Sequence, residues 1–231
     1  MKALQIVIIF FAISFLSFKP KDEMVKVFDK VEKNYANKKF FHYKITITAT
    51  DESKPNEVID TSEGLFLKKN GITYQKISDN EVIDFDNYVF FSSALNKTAI
   101  INRKDKSTQF ISIKSLVKLL PEKQSITESG NLLICILNAP KVYQTPYYKV
   151  EIAINKETNE MVYQKLYMVG KNKYKVKGKL VEVINPIVKL SYKVATKNEI
   201  FENNLVDQLN YFTELKGKFT LSSKYAKYKL L

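Results

Sequence analysis

Very little in this sequence can do chemistry by itself. Among its 231 residues there is one cysteine, Cys135, and one histidine, His42. A single cysteine closes no intrachain disulfide, so an oxidising compartment is permitted but not exploited. One histidine and one cysteine build neither a Cys/His metal cluster nor a Ser-His-Asp constellation. Cys135 lies inside the apolar run Leu132 to Leu137, the setting of a buried core thiol and not of a nucleophile. No glycine-rich loop has Walker or dinucleotide spacing. The acids sit mostly on polar faces or in turns, so no carboxylate pair announces itself. The chain therefore reads as a non-enzyme without a cofactor.

Arginine is almost missing too. The net charge is +13, yet Arg103 is the one arginine. Base readout and forked phosphate recognition lean on guanidinium, so nucleic acid is not an expected partner. The bland reading of the charge is a solvated, lysine-coated surface. Tryptophan is absent, and glycine and proline number six each. With no repeat, long linker or low-complexity block, one domain is the economical expectation.

What the chain has is apolar and aromatic material: 45% hydrophobic residues, with 14 Tyr and 15 Phe, types that favour strands. Lys2 precedes a nearly uninterrupted apolar run from Ala3 to Ser17, the layout of a secretory signal. The run is short for a membrane-spanning helix, which needs about 20 apolar residues. Export to the periplasm, with cleavage after Ser14 or Ser17, is the expectation, and an uncleaved anchor is the alternative. No cysteine near this boundary offers a site for lipidation.

Met24, Val27, Phe28, Val31 and Tyr35 recur at three- and four-residue spacing and predict an amphipathic helix from Asp22. Alternation of Phe41, Tyr43, Ile45, Ile47 and Ala49 with polar neighbours predicts a half-buried strand. Asp51 to Glu57, with Pro55, reads as a loop. From Val58 to Asn102 short β-prone runs (63–69, 72–77, 82–85, 88–91 and 98–102) are separated by turn dipeptides such as Asn70-Gly71 and Asp86-Asn87, which predicts an antiparallel meander. Ile113, Leu116, Val117 and Leu120 suggest a second helix stopped by Pro121. Strands are expected at 132–137, 147–154, 161–169, 175–183 and 188–195, with Pro186 as a breaker. The stretch 201–212 looks irregular. The total is roughly ten antiparallel strands and two small helices.

This order of elements, from the opening signal run onward, resembles the LolA/LolB-like periplasmic lipoprotein carriers. The most specific segment is Glu63-Gly64-Leu65-Phe66-Leu67-Lys68-Lys69-Asn70, standing where the family has a glycine-started strand ending in a Lys-Arg pair. Ile72-Thr73-Tyr74, then Val82 to Asn87 and Tyr88 to Phe91, stand for its next strands, and Ile152 to Val162 resembles its second meander. The resemblance covers about residues 25–212. It implies an α+β, mainly β fold, in which a strongly curved antiparallel sheet forms an unclosed barrel capped by short helices. The domain reading is then a signal at 1–17, a carrier-like domain at 18–213 and an extension of that domain at 214–231, which the family pattern does not predict. The implied concave face is lined by Tyr43, Ile45, Ile47, Leu65, Leu67, Tyr74 and Phe85, with Lys69 at its rim. Lys69 stands where the family has an arginine that bonds the lid, and an ammonium cannot reproduce that fork. Lys69 either points inward with Leu65 and Leu67 or ends the strand in solvent.

Two functions follow. One is a carrier holding the acyl chains of a lipid or lipoprotein, with a membrane-bound envelope partner. The other is an exported structural or interaction module without a small ligand, binding through its tail or a sheet edge. A monomer is expected in either case. The segment after Phe212 is read as a further strand or a cover over a sheet edge.

Overall fold

The computed structural model describes residues 22–104, 122–139, 146–176, 179–195 and 203–231. The expected signal at 1–17 and the mid-chain helix near 113–120 lie outside these residues. In chain order the helix α1 (Asp22–Asn37) precedes β1 (Phe40–Asp51), β2 (Lys54–Lys69), β3 (Ile72–Ile77), β4 (Asn80–Asp84), β5 (Tyr88–Ser93) and β6 (Thr98–Arg103). Next come β7 (Glu122–Ser129), β8 (Leu132–Asn138), β9 (Tyr147–Asn155), β10 (Met161–Met168), β11 (Lys171–Val176), β12 (Lys179–Ile184) and β13 (Pro186–Val194). The tail adds two 3-10 turns (Asn203–Val206 and Gln208–Asn210), then β14 (Phe212–Leu215), β15 (Lys218–Leu221), a third turn (Ser223–Tyr225) and β16 (Lys229–Leu230).

The fold is mainly β, as the sequence leads one to expect, and its large curved sheet does not close into a barrel. Twelve strands run in the order β16-β6-β5-β4-β3-β2-β1-β13-β10-β9-β8-β7, while β11-β12 and β14-β15 form separate hairpins. The chain divides into two compact units, with β1 and β2 each contributing to both.

The first unit holds residues 1–37, 46–62 and 109–192. In α1 the spacing that predicts a helix also selects its buried side, because Met24, Phe28 and Val31 are all buried. The Tyr35 hydroxyl accepts the Met161 N–H at 3.1 Å, and the Asn34 side-chain amide donates to the Thr158 carbonyl at 3.0 Å. Strands β7 to β10 are antiparallel neighbours, and β13 follows β10 in the sheet. Val150, Ile152 and Leu166 supply buried apolar side chains. Cys135 is fully buried, and burial pushes its thiol up to about 12, far from a reactive thiolate.

The second unit holds residues 38–45, 63–108 and 193–231. Its meander β2 to β6 follows the predicted order with unbroken register. Asn70 and Gly71 both take positive φ (50° and 89°), as a two-residue hairpin turn demands.

Several expectations need correction. The loop at 51–57 shrinks to a tight turn, because the Asp51 carboxylate accepts from the Ser53 N–H at 2.8 Å and reverses the chain at once. Pro55 is then tolerated near the solvent-exposed start of β2. The strand expected at 175–183 is a hairpin of two strands. Pro186 does not break the sheet but opens β13, a position where its missing N–H is tolerated. Strand β7 is absent from the sequence reading because Glu-Lys-Gln-Ser-Ile-Thr-Glu-Ser offers one bulky apolar residue, Ile126. Sixteen strands, not about ten, are present among the described residues, and β16 pairs β6 in parallel.

Gly64 is where backbone approach dictates the residue. A Cβ there would lie 2.8 Å from the Lys76 carbonyl oxygen and 3.2 Å from the Ile77 Cγ1. Gly64→Ala is expected to destabilise the protein by about 1–3 kcal/mol through this overpacking. Urea unfolding followed by circular dichroism measures it, and an unchanged midpoint would contradict the assignment.

Candidate functional site

Within the second unit one apolar layer dominates. Leu67, Tyr74, Ile83, Phe85, Phe90 and Ala99 from the meander pack with Tyr211, Phe212 and Tyr225 from the tail, all nine buried. Leu65 is partly buried against the same group. Strand alternation explains the meander's share, since every second residue faces one side. The tail's share comes from rings. Phe90 stacks near-parallel on Phe212 at 6.1 Å and meets Tyr225 edge-on at 5.0 Å, and Phe85 meets Tyr211 at 5.8 Å. Such pairs contribute about 0.5–1.5 kcal/mol each beyond their buried area.

The predicted lining residues thus separate. Leu65, Leu67, Tyr74 and Phe85 come together beneath the tail. Tyr43 and Ile45 are buried on β1 in the same unit but are not members of that cluster. Ile47 is buried in the first unit. Lys69 is half-buried at the end of β2, opposite Ile72.

Polar groups fasten the tail over this layer at three places. Glu214 accepts from both Tyr88 and Arg103, and the Arg103 guanidinium lies 5.6 Å from the Phe219 ring centre. The Lys229 N–H donates to the Lys97 carbonyl at 2.8 Å and the Leu231 N–H to the Ala99 carbonyl at 2.9 Å, which lays β16 on β6. The third place is the buried carboxylate of Glu81 on β4. It accepts from the Tyr74 hydroxyl at 3.0 Å, from the Tyr225 hydroxyl, and from the Lys224 ammonium at 3.4 Å. Burial alone would raise the Glu81 pKa. The Tyr225 hydrogen bond, the Lys224 charge, the Tyr74 bond and the Lys76 charge outweigh it and hold the carboxyl below its ordinary value. Burial and the same carboxylate push Tyr225 the other way, upward.

A pocket of about 420 Å³ opens beside Glu81, lined in part by Lys76, Lys97, Ser223, Lys224, Lys227 and Tyr228. Its lining mixes ammonium, carboxylate and hydroxyl groups with the side chains of Ala94, Tyr225, Ala226 and Tyr228. Among the described residues no group of three or more His, Cys, Asp or Glu could hold a metal ion, and no helix is long and apolar enough to cross a membrane. Glu81, Arg103, Glu214 and Tyr225 escape the sequence reading. The one signal for them is the density of aromatics after residue 210, in Tyr211, Phe212, Phe219, Tyr225 and Tyr228.

No family model matches the chain, and no curated protein matches it. Solved structures do resemble it. A LolA superfamily protein from Nitrosomonas europaea is similar at a TM-score of 0.31 and 11% identity, covering 78% of this chain and 96% of that one. A putative outer membrane lipoprotein-sorting protein domain from Vibrio parahaemolyticus reaches 0.36 and 8%, covering 80% and 97%. Lipoprotein LppX of Mycobacterium tuberculosis reaches 0.38 and 9%, covering 79% and 98%.

Tyr225→Phe should cost about 1.5–3 kcal/mol, as expected for a buried hydrogen bond to a charged group. The pH dependence has a fixed sign. Because the folded Glu81 pKa is depressed, its stabilisation is complete above its unfolded value, about 4.3, and is lost as pH falls through the lower folded value. Urea midpoints of wild type and Glu81→Gln should therefore differ at neutral pH and converge in acid. A gap that widens in acid would overturn this account.

Proposed function

We propose that the protein is an exported, non-catalytic binder of acyl chains from a lipid or lipoprotein. The acyl chain would lie along the meander's apolar layer, against Leu65, Leu67, Tyr74 and Phe85, with Tyr43 and Ile45 of the same unit extending the lining and Lys69 at the rim. One observation supports the reading. Among the described residues, the apolar face of the meander is covered by a tail built from pieces of two to four residues, and not by a second layer of long elements. A cover of that kind can be exchanged for cargo.

Magnitudes allow the exchange. An acyl chain of about sixteen carbons gains roughly 12 kcal/mol on leaving water, at about 0.8 per CH₂. The buried rings of Tyr211, Phe212 and Tyr225 contribute roughly 1.5–3 kcal/mol each. Their polar fastenings add about 1–3 apiece. The two sums are comparable, so the tail would compete with cargo without excluding it.

A second reading, an envelope interaction module with no small ligand, is favoured by the filling of that layer with the chain's own rings. Native mass spectrometry of the exported protein, with lipid extraction and titration of a fluorescent fatty acid, separates the two. A carrier yields a stoichiometric acyl-bearing species, and Tyr225→Phe takes up the probe faster than wild type. Empty protein in both forms, with no change in probe fluorescence, would leave the module reading.

A further inference from the structure

The hairpin β11–β12 of the first unit has two unlike faces. One packs inward: Tyr174 and Val183 are buried and cluster with Ala49, with Ile59 and Val176 against them. The register pairs Lys171 with Ile184 and Lys173 with Glu182, and Leu180 shares the strand parity of Glu182 and Ile184, which places these five on the opposite face. There Leu180 is 68% exposed and Ile184 58%, beside exposed Lys171 and Lys173. Val181, opposite Tyr174 in the register, stands on the packed face although it is 39% exposed. A lone exposed leucine needs no explanation, but bulky aliphatics grouped on one hairpin do.

Charge narrows the occupant. Between Lys171 and Ile184 the sequence carries five lysines and one acid. That acid, Glu182, is already paired with Lys171 at 3.0 Å. A second copy of this chain, itself at +13, would meet the face with like charge. A protein partner with an apolar patch would bury lysines, which are depleted at interface cores. An anionic bilayer satisfies both halves of the surface. Aliphatic side chains enter the boundary between headgroups and acyl chains, and lysines lay their stems along the apolar level while their ammonium groups stay among the phosphates.

We infer that the β11–β12 hairpin docks the protein on anionic lipid bilayers, with Leu180 and Ile184 inserted and the neighbouring lysines at the phosphates. This surface is separate from the acyl-binding reading and does not depend on it.

The test is co-sedimentation of the full chain with vesicles of phosphatidylcholine alone or mixed equally with phosphatidylglycerol. Binding to the mixed vesicles is expected to exceed binding to phosphatidylcholine alone, and the excess to weaken steeply with added salt. The double variant Leu180→Asp, Ile184→Asp should lose it, with an unchanged thermal midpoint. Lys173→Gln should bind about fivefold more weakly. Every chain compared carries the same apolar stretch at residues 3–17, so its contribution cancels in the differences. Equal binding by wild type and the double variant, or equal binding to both vesicle types, would overturn the proposal. It would also fall if wild type sedimented as a dimer that the double variant dissolved, since the face would then join two copies.

Discussion

A sheet with one apolar face has to cover it, and in the second unit that requirement falls on the last thirty residues of the chain. Leu67, Tyr74, Ile83, Phe85 and Phe90 project from the meander, and Tyr211, Phe212 and Tyr225 are their cover. The polar groups of the unit follow from this. Glu81 would be costly in an apolar setting, and it is held ionised because two phenols and two ammonium groups converge on it. Arg103 and Tyr88 secure Glu214 in the same manner. The contacts from Tyr225 and Lys224 to Glu81, and from Tyr88 and Arg103 to Glu214, each join residues more than a hundred positions apart, so the cover is a long-range structure held by side chains and only weakly by its own backbone ladders.

The carboxylate fixes where the cover sits, and the rings give it its area. A depressed Glu81 pKa means the anchor is at full strength across neutral pH. Lysine suits this arrangement better than its usual role as a surface solubiliser suggests. The Lys224 ammonium lies 4.9 Å from the Tyr225 ring centre and 5.2 Å from that of Tyr211 while paired to Glu81. One flexible stem thus serves a carboxylate and two aromatic faces.

Local pattern made the meander legible. Period-two alternation and turn dipeptides place the end of β2 and β3 to β6 to within a few residues, and three- and four-residue spacing places α1, because both signals arise from near neighbours. What sequence reading misses is of two kinds. Strand β7 is almost wholly polar and the start of β2 is polar and exposed, so neither leaves more than a slight hydrophobic trace in the sequence. The tail's aromatics carry a trace without a period, since 3-10 turns and two- to four-residue strands are too short to repeat anything. Of the residues expected to line a cavity, alternation correctly marks Leu67, Tyr74 and Phe85 as buried. It carries no information on whether the opposing material is solvent, cargo or the chain itself.

That last distinction is physical as well as methodological. A ring from the tail and a stretch of acyl chain present nearly the same surface to Phe85 and Phe90, and the hydrophobic effect is indifferent to which of them excludes water. What differs is tethering. The tail is always at high effective concentration, so any cargo must exceed it in buried area. Long acyl chains have that area and small apolar molecules do not, so the tail that fills the layer would also act as a size filter on what could replace it.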